Sequence, residues 1–268
     1  MTTQFGDVLD SLRRDGSDWV ANVGEDWSQG RTIFGGLQVA LAVRAMRGVM
    51  TGNPGVPLRS VQATFVGPLP FGEDIRLRAE VLRTGKSASH ARCDLLRDGA
   101  VACTVAAIFG APRPSGVVIE IPRPAVDIDP ETLADLPCIP GVTPTFVKHI
   151  QVRWAEGTPP YTSQREPRSL IYSRMVDRHC TAEDALIALA DSIPSPALSM
   201  LSRIAPASSL NWMLELIGDP GLLDRKQWAL IGTEVRAGMD GYLSQTSVLW
   251  GPAGHAFSVS HQSVAIFG

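Results

Sequence analysis

What this sequence is short of narrows it first. No apolar run approaches the roughly 20 residues that a helical membrane span needs. The opening stretch, Met1–Asp7, has neither the basic start nor the apolar stretch of a signal peptide. A cytoplasmic chain without a membrane span is therefore expected. Four cysteines, Cys93, Cys103, Cys138 and Cys180, are scattered without CxxC spacing. They read as buried thiols in a reducing compartment, not as a disulfide framework or a zinc site. Charged residues make up 19% of the chain, the net charge is −3 and no basic stripe occurs, so nucleic acid is not an expected partner. The five histidines, His90, His149, His179, His255 and His261, never fall into metal-ligand spacing, so no metal is expected. The absence of Gly-x-Ser-x-Gly argues against an α/β-hydrolase.

What is present is a chain of 268 residues, 44% hydrophobic, long enough for one large domain or two of ordinary size. Eight of its twenty prolines fall between 111 and 147, where few could sit inside a helix or a central strand. This predicts an extended linker over 111–145, laid on the surface between a first half, 1–110, and a second, 146–268.

The first half shows short strands near 19–23 and 26–30. After Phe34-Gly35-Gly36 an apolar face at helical spacing follows, through Leu37, Ala40, Leu41, Ala45 and Gly48. Its small residues suggest that something packs closely against it. Then the period changes to two: Val61, Ala63 and Phe65 alternate with polar neighbours, as do Ile75, Leu77, Ala79 and Val81. Two more strands, 87–97 and 100–109, meet at Asp98-Gly99, a strong hairpin signal. The second half repeats this order, with strands near 146–154 and 168–177. Its helix is capped by Thr181, carries Glu183 and Asp184 in its first turn, and runs to Ala190. Strands follow near 207–216, 227–238, 241–250 and 255–267. Both halves end on Ala-Ile-Phe-Gly, at 107–110 and 265–268, which together with the shared element order favours an internal duplication.

A sheet wrapped around one helix, twice over, is the double hot-dog pattern, in the α+β class. The expected architecture is two antiparallel sheets joined into one, with the two helices side by side on one face. Sheet edges left by such a pair favour a homo-oligomer. Three segments, Gly30-Arg31-Thr32-Ile33-Phe34-Gly35-Gly36, Arg59–Phe65 running into Pro68, and Glu80–Ser87, resemble the bacterial acyl-CoA thioesterase II family. Leu189-Ala190-Asp191, Ser209-Leu210-Asn211 and His261-Gln262 fit the same resemblance in the second half. It covers nearly the whole chain outside the linker. It implies hydrolysis of acyl-CoA thioesters, with no cofactor beyond the CoA of the substrate. The acyl chain would lie in an apolar tunnel between the halves, the nucleotide near the surface.

The resemblance also implies a catalytic group, here Asp191, Ser209 and Gln262. Asp191 has Ile187 and Ala188 one turn back and lies toward a helix C-terminus. An apolar setting and an unfavourable dipole both raise a carboxylate pKa. Without the resemblance, Asp191 could be a solvated acid ending a helix, Ser209 a structural serine and Gln262 a surface amide. Asp191 and Gln262 have no counterpart in the first half, where Leu41 or Ala42, and a residue between Thr104 and Ala107, stand opposite; Ser60 matches Ser209. Family members often carry Asp where this chain has Asn211. Phe34, Gly35 and Gly36 are candidates for substrate contact: the glycines allow either tight helix packing or backbone N–H groups facing a thioester oxyanion. Alternatives are a non-catalytic acyl-CoA-binding protein and another hot-dog enzyme, such as an enoyl-CoA hydratase. The Asp and His near a helix start expected of the latter are not found. His261 should face away from Gln262 across the strand. Trp212, Trp228 and Trp250 read as core or pocket wall.

Overall fold

A computed structural model describes residues 2–51, 55–177 and 179–267. The chain opens with a short helix, α1 (Phe5–Asp10), and the strands β1 (Arg13–Asp15), β2 (Asp18–Asn22), β3 (Ser28–Gln29) and β4 (Thr32–Ile33). Helix α2 (Gly35–Val49) follows, then β5 (Leu58–Phe65), β6 (Asp74–Thr84), β7 (Ala88–Arg97) and β8 (Ala100–Gly110). After the linker come β9 (Ile150–Glu156), β10 (Arg168–Met175), α3 (Ala182–Ala190), β11 (Ala207–Leu216), β12 (Ala229–Met239), β13 (Tyr242–Trp250) and β14 (Ala256–Ile266). Twelve strands form one sheet in the order β1-β2-β6-β7-β8-β5-β11-β14-β13-β12-β10-β9, and β3 pairs with β4 separately. Strands β5 and β11 pair antiparallel at the centre, from Thr64 opposite Asn211 to Ser60 opposite Glu215. This is the double hot-dog expected from the sequence.

Helix α2 is buried on nearly every side, Arg44 and Arg47 being the polar exceptions toward its end, as a helix apolar all round must be. Helix α3 starts with a complete capping box: Thr181 accepts from the Asp184 N–H, and Asp184 accepts from the Thr181 N–H. The two helices run antiparallel. Gly36 of α2 lies against Ala188 of α3, while at the other end Arg44 pairs with Asp184 at 2.8 Å and Arg47 with Glu183 at 2.6 Å. Arg47 in the last turn of α2 and the acids Glu183 and Asp184 in the first turn of α3 each oppose the dipole end they sit on. Counted from the N-caps Phe34 and Thr181, the residue opposite Asp191 is Arg44, not Leu41 or Ala42.

Several details differ from expectation. Helix α1 and strand β1 carry too few residues to show a period. Strand β9 begins at Ile150, not at 146, because Pro144 starts a 3-10 turn over Thr145–His149 that buries Phe146 and Val147. Cys138 is exposed, unlike the other three cysteines. Of the second Ala-Ile-Phe-Gly, Ala265 and Ile266 end β14, and Gly268 lies outside the described residues. The Asp98-Gly99 turn has φ of 50° and 80°, the left-handed pair that a two-residue hairpin requires.

Residues 111–145 cross the outer face of the second half. Ile121, Val126 and Leu133 cover Tyr172, Trp228, Leu230 and Trp250. Arg153 and Arg174 lie over the Trp228 ring and bind Glu131, while Arg153 also binds Asp135. Leu136 donates its N–H to the Val152 carbonyl on the outer edge of β9. At the opposite edge β1 is three residues long and charged throughout. Both edges are thus guarded against strand addition, and edge pairing gives little support to a homo-oligomer.

The helix pairing should be measurable. Glu183 accepts from Arg47 and also from the Leu58 N–H, so Glu183→Gln is expected to cost roughly 1–3 kcal/mol in urea unfolding. An unchanged midpoint would show that the pair does not hold the helices together.

Candidate active site

Asp191 is the C-cap of α3, with φ −109° and ψ 4°. The antiparallel pairing sets it against the first turn of α2. A Cβ placed on Gly35 would fall 2.7 Å from Asp191 Oδ2 and 3.2 Å from the Phe65 ring; one on Gly36 would meet the Phe34 ring at 2.7 Å. Both positions therefore require glycine, and Gly35 does so because the carboxylate occupies that space. Close packing, one of the two readings of these glycines, is what the geometry displays.

Burial pushes the Asp191 carboxyl up to about 7, while hydrogen bonds from the Gly36 backbone N–H and from Gln262 oppose the rise. The residue keeps some accessible surface, so water can reach a carboxylate that protein mass surrounds on most sides. The sequence placed it at the negative end of α3. It did not reveal that the positive end of α2 points at the same group and partly offsets that effect.

Gln262 Nε2 donates to Asp191 Oδ1 at 3.1 Å and to Ser209 Oγ at 2.7 Å. The three residues named from the resemblance therefore meet in one hydrogen-bonded constellation. Ser209 owes its direction to a β-bulge. Along β11 the inward residues are Leu216, Leu214 and Trp212, and regular alternation would next bring Leu210 inward. The register shifts between Ser209 and Asn211, and Ser209 turns in. Asn211 is turned to the exposed face, where its Oδ1 accepts from the Ser263 N–H at 3.3 Å. The departure from Asp at this position thus lies outside the constellation.

Phe34 does not fit the substrate contact expected of it. Its ring is fully buried and stacked on Phe146 at 4.1 Å, and its N–H donates to the Trp27 carbonyl. It anchors the turn before α2. His261 is exposed and faces Thr246, on the face opposite Gln262. Trp212 is core, while Trp228 and Trp250 lie under the linker. A crevice of about 330 Å³ beside Trp228, lined by Arg123, Glu131 and Tyr172, shares no residue with the Asp191 constellation.

Sequence reading missed Gln245. Its Nε2 donates to Gln262 Oε1 at 2.7 Å from the neighbouring strand β13. Only the strand register reveals it, since an isolated glutamine in a strand carries no signal.

Comparisons with known proteins bear on the family and the fold. A family model for the acyl-CoA thioesterase N-terminal domain matches residues 23–110, and one for the C-terminal domain matches 130–266. No curated protein matches the sequence. Among solved structures, the chain is similar to a hot-dog-fold protein of unknown function from Alicyclobacillus acidocaldarius, with 20% identity, a TM-score of 0.86 and 100% and 99% of the two chains covered. It is also similar to the tesB protein of Mycobacterium avium subspecies paratuberculosis, with 15% identity, TM-score 0.81 and coverage of 99% and 100%. Acyl-CoA thioesterase II TesB2 from Mycobacterium marinum gives 15%, 0.77 and 98% of each chain. At these identities the structures show the fold alone.

A carboxyl raised to about 7 makes the folded state bind its proton more tightly than the unfolded chain does. Its ionisation therefore costs stability as pH climbs from about 4 to about 7, and the cost is complete above that. Asp191→Asn is expected to melt about 3–6 °C above the parent at pH 8, with the gap closing as pH falls toward 4. Equal melting temperatures at both pH values would contradict the burial of a charge here.

Proposed function

The chain belongs to the acyl-CoA thioesterase family, whose domain models span most of it, and on that premise we propose that Asp191, Ser209 and Gln262 activate water for thioester hydrolysis. The observation that carries this reading is the desolvated Asp191 carboxyl tied through Gln262 to Ser209.

Above pH 7 Asp191 is ionised and accepts a proton from a water molecule. The oxygen of that water attacks the thioester carbonyl carbon, and the carbonyl π pair moves to oxygen. Collapse of the tetrahedral intermediate breaks the C–S bond and releases CoA as thiolate. The thiolate leaves readily because its conjugate acid is a weak but competent acid, and it recovers the proton from Asp191 directly or through water. A general base works best when its pKa lies near the working pH, which burial provides.

Ser209 is a poor nucleophile in this arrangement. Its oxygen accepts from Gln262, and its own hydrogen remains to orient the water or the thioester carbonyl. In the first turn of α2 the Phe34 N–H is taken by Trp27 and the Gly36 N–H is directed at Asp191. The Gly35 N–H is left as the backbone donor for the developing oxyanion. The acyl chain would lie between the halves and the nucleotide outside them, in the reducing interior of the cell. Among the described residues no helix is long and apolar enough to cross a membrane.

The alternative of a non-catalytic acyl-CoA binder drew on Ser209 and Asn211. Ser209 keeps its hydroxyl in the constellation, and Asn211 faces away from it, so that alternative loses its support.

Thiol release from acetyl-, octanoyl- and palmitoyl-CoA tests the proposal. At least one should be hydrolysed, with kcat/KM rising about tenfold per pH unit at low pH and levelling above about 7. Asp191→Asn should lower kcat by roughly a thousandfold while acyl-CoA binding persists. Binding without thiol release in the wild type would favour the non-catalytic reading. Equal turnover by both proteins would remove Asp191 from the chemistry.

A further inference from the structure

One buried amide on the inner face of the second half is poorly explained as packing. Gln245 lies in the middle of β13, opposite Gln262 in the β13–β14 register, and is 5% exposed. Its Nε2 donates to Gln262 Oε1, while its own Oε1 is buried without a partner. A leucine or methionine would fill the space without stranding a carbonyl, and buried acceptors are rarely left unpaired. The position holds an amide for the sake of its donor.

What the donor does follows from valence. An ionised Asp191 can only accept, so Gln262 must turn Nε2 toward it. That nitrogen carries two hydrogens, and Asp191 Oδ1 and Ser209 Oγ use both. Gln262 Oε1 then faces β13, where only a donor is tolerated, and Gln245 supplies one. Donation to Oε1 also polarises the amide and strengthens its N–H groups. Without it, Gln262 is free to rotate about its last bond and set Oε1 against the carboxylate, acceptor against acceptor.

We propose that Gln245 is a positioning residue for the hydrolysis: acting through Gln262, it holds the Asp191–Gln262–Ser209 relay in the orientation that serves an ionised Asp191. It touches no substrate, and the inference rests on the role given to Asp191 above. The groups facing Asp191 from the elements packed around it are neutral: the backbone of Gly35 and Gly36 on α2, the Phe65 ring on β5 and the Gln262 amide on β14. Loss of the amide's orientation is therefore not buffered by a neighbouring charge.

The test uses four full-length proteins, namely wild type, Gln245→Met, Gln262→Met and the double variant, each checked by thermal melting. Gln245→Asn replaces the methionine variant if that one does not fold. With octanoyl-CoA as probe, Gln245→Met should lower kcat roughly tenfold at unchanged KM and move the acidic limb of the pH profile upward. In the Gln262→Met background it should add nothing, because its effect passes through Gln262. Losses that multiply, or an unmoved limb, would overturn the proposal. A second readout needs no turnover: carboxyl ¹³C titration of Asp191, its signal identified with Asp191→Asn. The Asp191 pKa should rise in each single variant and no further in the double. That pattern in a wild type inert toward acyl-CoA would sink hydrolysis and leave the positioning role standing. Turnover without the pattern would sink the positioning role alone.

Discussion

Everything in this molecule that concerns chemistry depends on how closely the start of α2 approaches the end of α3. Two glycines, Gly35 and Gly36, permit it, and the ion pairs Arg44–Asp184 and Arg47–Glu183 hold the far ends together. The result is a carboxylate on the C-cap of one helix, wedged against the N-terminus of the other. Burial raises its pKa and the opposing helix end restrains the rise, so the group settles near neutrality. A side chain at either glycine would separate the helices or displace the carboxylate, and the rest of the site would have nothing to organise around.

The two halves use the same frame for different ends. In the first half the inward residues of β7 and β8 include Cys93, Leu95, Val105 and Ala107, all buried and apolar. In the second, the inward lane holds Thr233, Gln245, Ser247, Ser260 and Gln262, with Thr233 and Ser247 hydrogen-bonded to each other. A buried polar lane is costly unless its groups find partners. This one finds most of them within itself, and Asp191 stands at its open end. Duplication separated the tasks: one copy supplies packing and the positive helix end, the other supplies the acid, the hydroxyl and the amide.

Much of this was legible in the sequence, for physical reasons that can be named. Alternation located β5 and β6, which have one buried and one more exposed face. The Asp98-Gly99 hairpin and the repeated element order placed β7, β8 and β11 to β14 within a residue or two. Thr181 with Asp184 marked the start of α3 through capping chemistry, and Asp98-Gly99 marked a hairpin through its tolerance of positive φ. The short elements α1 and β1 escaped, being too brief to show a period. At the site, Asp191, Ser209 and Gln262 came from a resemblance, not from spacing. What joins them was beyond local reading. The Gly36 N–H reaches Asp191 from a helix about 150 residues away in sequence, Gln245 meets Gln262 only through strand register, and Phe34 was given a substrate role that its buried ring cannot perform.

The bulge at Ser209 and Asn211 has a consequence for how such a protein can change. Because one extra residue in β11 decides which side chain faces Asp191, the hydroxyl is set by a count and not only by an identity. Losing Leu210 would restore regular alternation with Trp212 in, Asn211 out and Ser209 still in, whereas closing the bulge with Leu210 retained would bring Leu210 in and swing Ser209 to the outside. A one-residue change in length at this point can therefore be absorbed by gaining or losing the bulge, and a survey of sequences that demanded a fixed spacing between the hydroxyl and the rest of the strand would reject variants that keep it facing Asp191.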